Sequence, residues 1–178
     1  RGMKNLFPFL KRSPVVAVVR LQGQISNSSR GLDDLSLAPI IDRAFSKGKP
    51  VAVFFGFTQC PDVCPMTMQK LSIMRERIGA PFNDLRILFV SLDPERDTPE
   101  ALKSYFGSFP IPVTGLTGSA ADIAGAAKQF DVFYETVRYS ETDYTIDHTA
   151  SLFLIDRNGK RAGEIGFDAE EAEFQQKL

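Results

Sequence analysis

An α/β fold with one mixed central sheet is what this 178-residue sequence predicts, on three observations. Runs of β-branched and apolar residues alternate with segments of helical spacing, the order that builds parallel strands joined by helical crossovers. A turn signal, Arg157-Asn158-Gly159, splits the last apolar stretch into a hairpin and so adds antiparallel strands. The composition, 43% hydrophobic and 24% charged, is that of an ordinary globular chain, and the length suits one domain better than two.

Each element follows from its residues. VVAVVRLQGQI, Val15–Ile25, is rich in β-branched residues and reads as a strand. Asn27–Asp34 is a polar, turn-prone loop; Leu35, Leu37, Ile40, Ile41 and Phe45 then recur at helical spacing, with Gly48 as the stop. PVAVFFGF, Pro50–Phe57, is a second, buried strand. A loop with both cysteines comes next, then a helix over Pro65–Ile78 offering Met68, Leu71, Ile73 and Met74 for burial. Leu85–Asp93 is the third strand, and TPEALKSYFGSF opens a helix capped by Asp97 or Thr98 with Pro99 in its first turn. After the short VTGLTG, Ser119–Phe130 is helical and Val132–Val137 is a strand. The hairpin of ASLFLIDRNGKRAGEIGF and a terminal helix from near Ala169 close the chain. This order predicts a three-layer sandwich of the thioredoxin type, with residues 1–178 forming a single domain.

Charge and hydropathy exclude two classes of partner. A net charge of −1 gives no electrostatic reason for binding nucleic acid or an anionic membrane. No run approaches the ~18 apolar residues of a membrane span. PVVAVV is cut off by Arg20, and the apolar stretch Leu6–Leu10 is broken by Pro8 without a small-residue cleavage site behind it, a poor signal peptide.

The chemistry concentrates in FFGFTQCPDVCP, Phe54–Pro65, which holds both cysteines with three residues between them. Cys60 falls at the end of a strand-to-helix loop and Cys64 in or near the first helical turn. Four positions along a helix rise ~6 Å on one shared face, so both sulfurs point the same way. The same spacing fits a reversible disulfide. A helix amino end favours thiolate over thiol, which suits redox chemistry or metal binding. Buried cysteines packing as small hydrophobes are the plain alternative, though these have no reason to gather at such a junction. Thioredoxin-like oxidoreductases carry two residues between their cysteines, one fewer than here.

His148, in DYTIDHTASLFLID, is the only histidine and directly precedes a strand. In a thioredoxin-type sandwich, the loop into that strand lies opposite the cysteine-bearing helix start. Two thiolates and one imidazole form a soft three-ligand set, which suits Cu(I) and, with the imidazole, Cu(II). Structural zinc wants a fourth ligand, and the sequence offers no strong one. Asp147 is placed to orient the imidazole, or else is a solvated loop charge.

GKPVAVFFGFTQCPDVCP, VSLDPERDTPEALKSY and DYTIDHTASLFLIDRNG resemble, in order and spacing, the signature blocks of the Sco/SenC family, from about Gly48 onward. The resemblance implies a thioredoxin-fold copper chaperone that helps assemble the binuclear copper centre of cytochrome c oxidase, with Cys60, Cys64 and His148 as copper ligands. It also implies the oxidase's copper-bearing subunit and a thioredoxin-like reductant as partners. The implied location is the periplasm or the mitochondrial intermembrane space, normally with a membrane anchor; the sequence shows neither the anchor nor the usual hairpin before GKP. The DPERDTPE block, Asp93–Glu100, reads as helix capping by Asp97 or Thr98 with Arg96 in surface ion pairs, or as a docking element.

The lead-in differs. PFLKRSPVVAVVRLQGQI and LAPIIDRAFSKGKP resemble the opening of signal-peptide-peptidase-A-type serine peptidases, and the two resemblances meet at Gly48-Lys49-Pro50. The expectation is a chimeric chain, residues 1–47 supplying a foreign strand and helix and 48–178 the Sco-like core. Three further activities stand beside the copper carrier. One is a thiol–disulfide oxidoreductase acting on a partner's copper-ligating cysteines through Cys60 and Cys64. Another is a peroxidase, from the resemblance of FGFTQC to peroxiredoxin loops. The weakest is a serine peptidase, for which no nucleophile and base are evident.

Overall fold

The structure, a computed structural model, describes residues 17–20 and 48–177. The first strand, β1 (Ala17–Arg20), is the described part of the expected Val15–Ile25 run. The loop and helix expected over 27–45 lie outside the described residues. Then come β2 (Val51–Gly56), α1 (Val63–Ile78), a 3-10 turn (Ala80–Asp84), β3 (Arg86–Ser91), α2 (Pro99–Phe106), β4 (Val113–Thr117) and α3 (Ala120–Gln129). The chain closes with β5 (Tyr134–Arg138), β6 (Tyr144–His148), β7 (Ser151–Ile155), β8 (Arg161–Gly166) and α4 (Glu171–Lys177).

Six strands form the central sheet in the order β1-β4-β3-β2-β7-β8. β1, β4, β3 and β2 run parallel, whereas β7 and β8 are antiparallel. The steps β2 to β3 and β3 to β4 move the same way across the sheet, so right-handed crossovers set α1 and α2 on one face. The return from β4 to β7 sends α3 over the other. Ring packing matches. Phe54 lies 6.0 Å from its registered neighbour Phe89, which meets Phe106 of α2 at 4.9 Å. One residue along β2, Phe55 faces the opposite layer, 5.4 Å from Phe130 at the end of α3 and 6.1 Å from Phe153. Strand alternation thus feeds two apolar layers from a single buried strand. The α/β sandwich with a mixed central sheet is as the sequence predicts.

Caps set the helix starts. Thr98, not Asp97, caps α2, its hydroxyl accepting from the Ala101 amide at 3.2 Å with Pro99 in the first turn. Ser119 and Asp122 form a reciprocal capping box on α3. Two strands went unpredicted. β4 is short and holds Gly115, whose missing side chain leaves room for Leu102 and Phe106 of α2. β6, where the sequence predicts a loop, pairs antiparallel with β5 in a separate two-stranded sheet, Tyr134 opposite His148 and Arg138 opposite Tyr144. In α1, Ile73 is 44% exposed although the sequence offered it for burial. The buried stripe runs through Cys64, Thr67, Met68, Leu71 and Met74, and position 73 lies about 160° away from it.

Candidate metal centre

β2 carries the chain straight to the thiols. It ends at Gly56, and α1 starts at Val63, two residues earlier than expected, which takes Cys64 into its first turn and leaves Cys60 in the loop ahead. Cys64 is wholly buried and Cys60 is 8% exposed. A Cβ at Gly56 would sit 2.6 Å from the Cys64 sulfur and 3.1 Å from the rings of Phe54 and Phe89. Only glycine lets the helix start lie down on the strand this closely.

His148 is the last residue of β6, within a strand and not in the loop the sequence suggested. Its Nε2 faces Cys64 Sγ at 3.9 Å. The donor atoms of Cys60, Cys64 and His148 all lie within 4.8 Å of one another. At the ring's other nitrogen, Nδ1 is 3.0 Å from the carbonyl oxygen of Thr149. A carbonyl only accepts, so Nδ1 carries a proton and Nε2 is the nitrogen that faces the sulfurs. Thr149 is itself fixed: its amide donates to Phe133 O at 2.9 Å and its hydroxyl accepts from Phe133 N at 3.0 Å. The rings of Phe54 and Phe57 stand edge-on to the imidazole at 6.3 and 6.0 Å. Asp147, which the sequence left open as an orienting group or a solvated charge, is exposed on the alternate face of β6. The Thr149 carbonyl does that work instead.

The two thiols share one proton. A hydrogen bond from Cys64 is the main cause that draws the Cys60 thiol down to about 4; burial opposes this, and the His148 side chain and the backbone amides of Asp62 and Cys64 add to it. The same interaction with Cys60, together with burial, pushes the Cys64 thiol up. Two adjacent buried sulfurs resist a double negative charge, so the metal-free pair holds one thiolate, on Cys60.

The DPERDTPE block proves structural to the site, and its partners were missed. Arg96 is not a surface ion pair: its side chain is 20% exposed and that of its partner Asp93 is 3%. Arg96 Nε donates to Asp93 Oδ2, while Nη1 donates to Gln59 Oε1 and Tyr144 O, both at 3.1 Å. The guanidinium carbon lies 3.6 Å from the Tyr144 ring centroid. The Tyr144 hydroxyl donates to Asp93 Oδ1 at 2.8 Å. Burial and that carboxylate push the phenol up to about 12, so it stays a donor at neutral pH. Asp97, fully buried, accepts from Thr58 N at 3.0 Å, Thr58 Oγ1 at 2.6 Å and Ser91 Oγ at 2.7 Å, fastening the cysteine loop to the end of β3. Its own carboxyl is raised by burial.

The donor set fits a three-coordinate metal ion. Bonds of ~2.3 Å to sulfur and ~2.0 Å to nitrogen at 120° separate the two donors by ~3.7 Å. The observed Cys64–His148 spacing is 3.9 Å. Two sulfurs and one imidazole are soft ligands, suited to late transition ions over magnesium or calcium.

Comparisons with known proteins agree on one family. The SCO1/SenC profile matches residues 39–178. A SCO2-like protein of Rickettsia felis is 37% identical over 134 residues, 74% of this chain and 65% of that protein. The human mitochondrial SCO1 homolog is 37% identical over 130 residues, 66% of this chain and 43% of its own length. A SCO2-like protein of Rickettsia typhi is 31% identical over 180 residues, 99% of this chain and 81% of that protein. Among solved structures, Bradyrhizobium japonicum ScoI with copper bound is 37% identical, covering 76% of this chain and 85% of that one with a TM-score of 0.68. BsSco, described as a member of the Sco family of cytochrome c oxidase assembly proteins with a disulfide switch, is 28% identical, covering 73% and 78% with a TM-score of 0.55. The profile match begins ahead of Gly48 and the R. typhi match runs almost end to end, so neither supports a foreign origin for the lead-in.

Proposed function

The chain belongs to the SCO1/SenC family, and from that premise we propose that it is a copper metallochaperone that holds its cargo on Cys60, Cys64 and His148. One observation carries the reading: three soft donors from two distant segments meet within 4.8 Å. Cys60 supplies a thiolate at neutral pH, Cys64 gives up its proton on metal uptake, and His148 offers a lone pair already aimed by Thr149. Cys60, the less deeply buried of the two, is where a partner's ligand first exchanges. The copper-bound state of B. japonicum ScoI supports the cargo, and the description of BsSco supports cytochrome c oxidase assembly as its use, with the oxidase's copper-bearing subunit the recipient in this reading. The human relative's mitochondrial description fits the intermembrane space, or the periplasm in bacteria. No helix among the described residues is long and apolar enough to cross a membrane. Residues 1–178 act in this reading as one thioredoxin-like domain.

A second reading rests on the Cys60 thiolate, the more accessible and more acidic of the two sulfurs. It attacks a disulfide on a partner and releases one partner thiolate, which takes the Cys64 proton. Cys64 then attacks Cys60 in the mixed disulfide, freeing the second partner thiolate and leaving a Cys60–Cys64 disulfide for a thioredoxin-like reductant. Anaerobic Cu(I) titration of the reduced protein separates the readings. The chaperone binds one equivalent, lost in Cys60→Ser and Cys64→Ser; absence of tight binding in the wild type leaves only the oxidoreductase.

A further inference from the structure

Among the described residues β5 and β6 form a two-stranded sheet apart from the central six, and such a hairpin is marginal on its own. His148 is nevertheless the residue that must hold a fixed place above the thiols. The inward face of β6 is Tyr144, Ile146 and His148, every second residue, with Ile146 buried between the two rings. His148 reaches the sulfurs at one end, and Tyr144, four positions back, is gripped at the other.

The grip comes from one loop. Asp93 takes the Tyr144 hydroxyl at 2.8 Å, and Arg96 donates to the Tyr144 carbonyl at 3.1 Å while stacking on its ring at 3.6 Å. The same Arg96 Nη1 bonds Gln59, next to Cys60, and the adjacent Asp97 holds Thr58. Both halves of the metal centre are therefore referenced to a single loop, 93–97. The arrangement is demanding: Arg96 Nη2 is buried with no hydrogen-bond partner among the described residues. A side chain needed only for a surface ion pair has no cause to be held there. Lysine, lacking the planar fork and the flat stacking face, cannot make the same contacts.

We propose that Arg96, Asp93 and Tyr144 form a latch that positions the β5–β6 hairpin, and with it His148, over Cys60 and Cys64. The metal-binding consequence rests on the copper reading above; the positioning itself does not. Among the described residues Arg96 and Tyr144 hydrogen-bond to Asp93, Gln59 and each other and not to sulfur or imidazole, so they act as positioning residues through β6.

The test uses Arg96→Lys and Tyr144→Phe, each alone and combined with His148→Ala, with folding followed by circular dichroism. Tyr144→Phe removes one hydroxyl and carries the test should Arg96→Lys unfold. In the reduced, metal-free protein, NMR cross-peaks between the His148 ring and the Cys64 β-protons are expected in the wild type and weakened in both variants. With copper as the probe, each variant loses affinity on the order of tenfold, and that loss disappears in the His148→Ala background. Undisturbed cross-peaks in both variants overturn the latch, as does an equal affinity loss with and without His148. Should wild type and His148→Ala bind copper alike, the copper reading falls, while the metal-free cross-peaks still decide the latch.

Discussion

Nε2 of His148 lies 3.9 Å from Sγ of Cys64, although 84 positions separate the two in sequence. The sulfur rests on Gly56 at the end of a buried strand, and the imidazole hangs from a small hairpin pinned at its far end. A carbonyl behind the ring selects its tautomer. The chemistry at this point is inseparable from how three segments are held.

Removing the imidazole should therefore cost metal binding and little else. His148→Ala is expected to weaken copper affinity on the order of 100-fold, since a ligand is lost and not merely its support. Thermal stability should change by less than about 1 kcal/mol, because the ring sits partly exposed at the end of a two-stranded sheet. Competition against a Cu(I) chelator and a melting curve check both.

Metal uptake should release one proton near neutral pH. Cys60 is drawn down to about 4 by the hydrogen bond from Cys64 and is already a thiolate, whereas Cys64 is pushed up and still a thiol. Binding displaces that remaining proton, so affinity should rise with pH by about tenfold per unit between pH 7 and 8. Affinity measured at several pH values gives the slope; a flat profile contradicts the shared-proton state.

Gly56 should not tolerate a methyl group. In Gly56→Ala the new Cβ meets the Cys64 sulfur at 2.6 Å and two phenyl rings at 3.1 Å, with rigid neighbours on every side. Overpacking of this kind costs about 1–3 kcal/mol. The variant should melt earlier and bind copper more weakly, because the sulfur must move away from its partners.

Deleting residues 1–47 removes β1, whose Ala17–Arg20 pairs with Thr114–Thr117 of β4. The deletion turns β4 into an exposed parallel edge, a surface prone to association. Lower thermal stability and increased aggregation are expected, with copper affinity retained because the site lies beyond β4, β3 and β2. Light scattering and a melting curve decide; unchanged stability makes the segment a tail.

Much of this was legible in the sequence because local signals agreed. Cys60 and Cys64 stand at a strand-to-helix junction that the apolar run and the prolines announce, and His148 precedes an unmistakable strand. What escaped depended on partners far along the chain. Arg96 contacts Tyr144 across 48 positions, and no local pattern distinguishes a buried, stacked arginine from a solvated one. β6 was missed because Tyr144–His148 mixes polar and apolar residues, and its pairing with β5 is what makes it a strand. Ile73 was misplaced because hydrophobicity alone does not say which stripe of a helix faces the sheet. Asp97 looked like a cap by type; its burial beneath Thr58 and Ser91 is a tertiary fact.

X-ray absorption at the copper edge of the reduced, copper-loaded protein, alongside His148→Ala, tests the central claim most directly. The predicted wild-type shell is two sulfurs at ~2.3 Å and one nitrogen at ~2.0 Å, with the nitrogen lost in the variant. A shell of sulfur alone, or one that His148→Ala leaves unchanged, contradicts it.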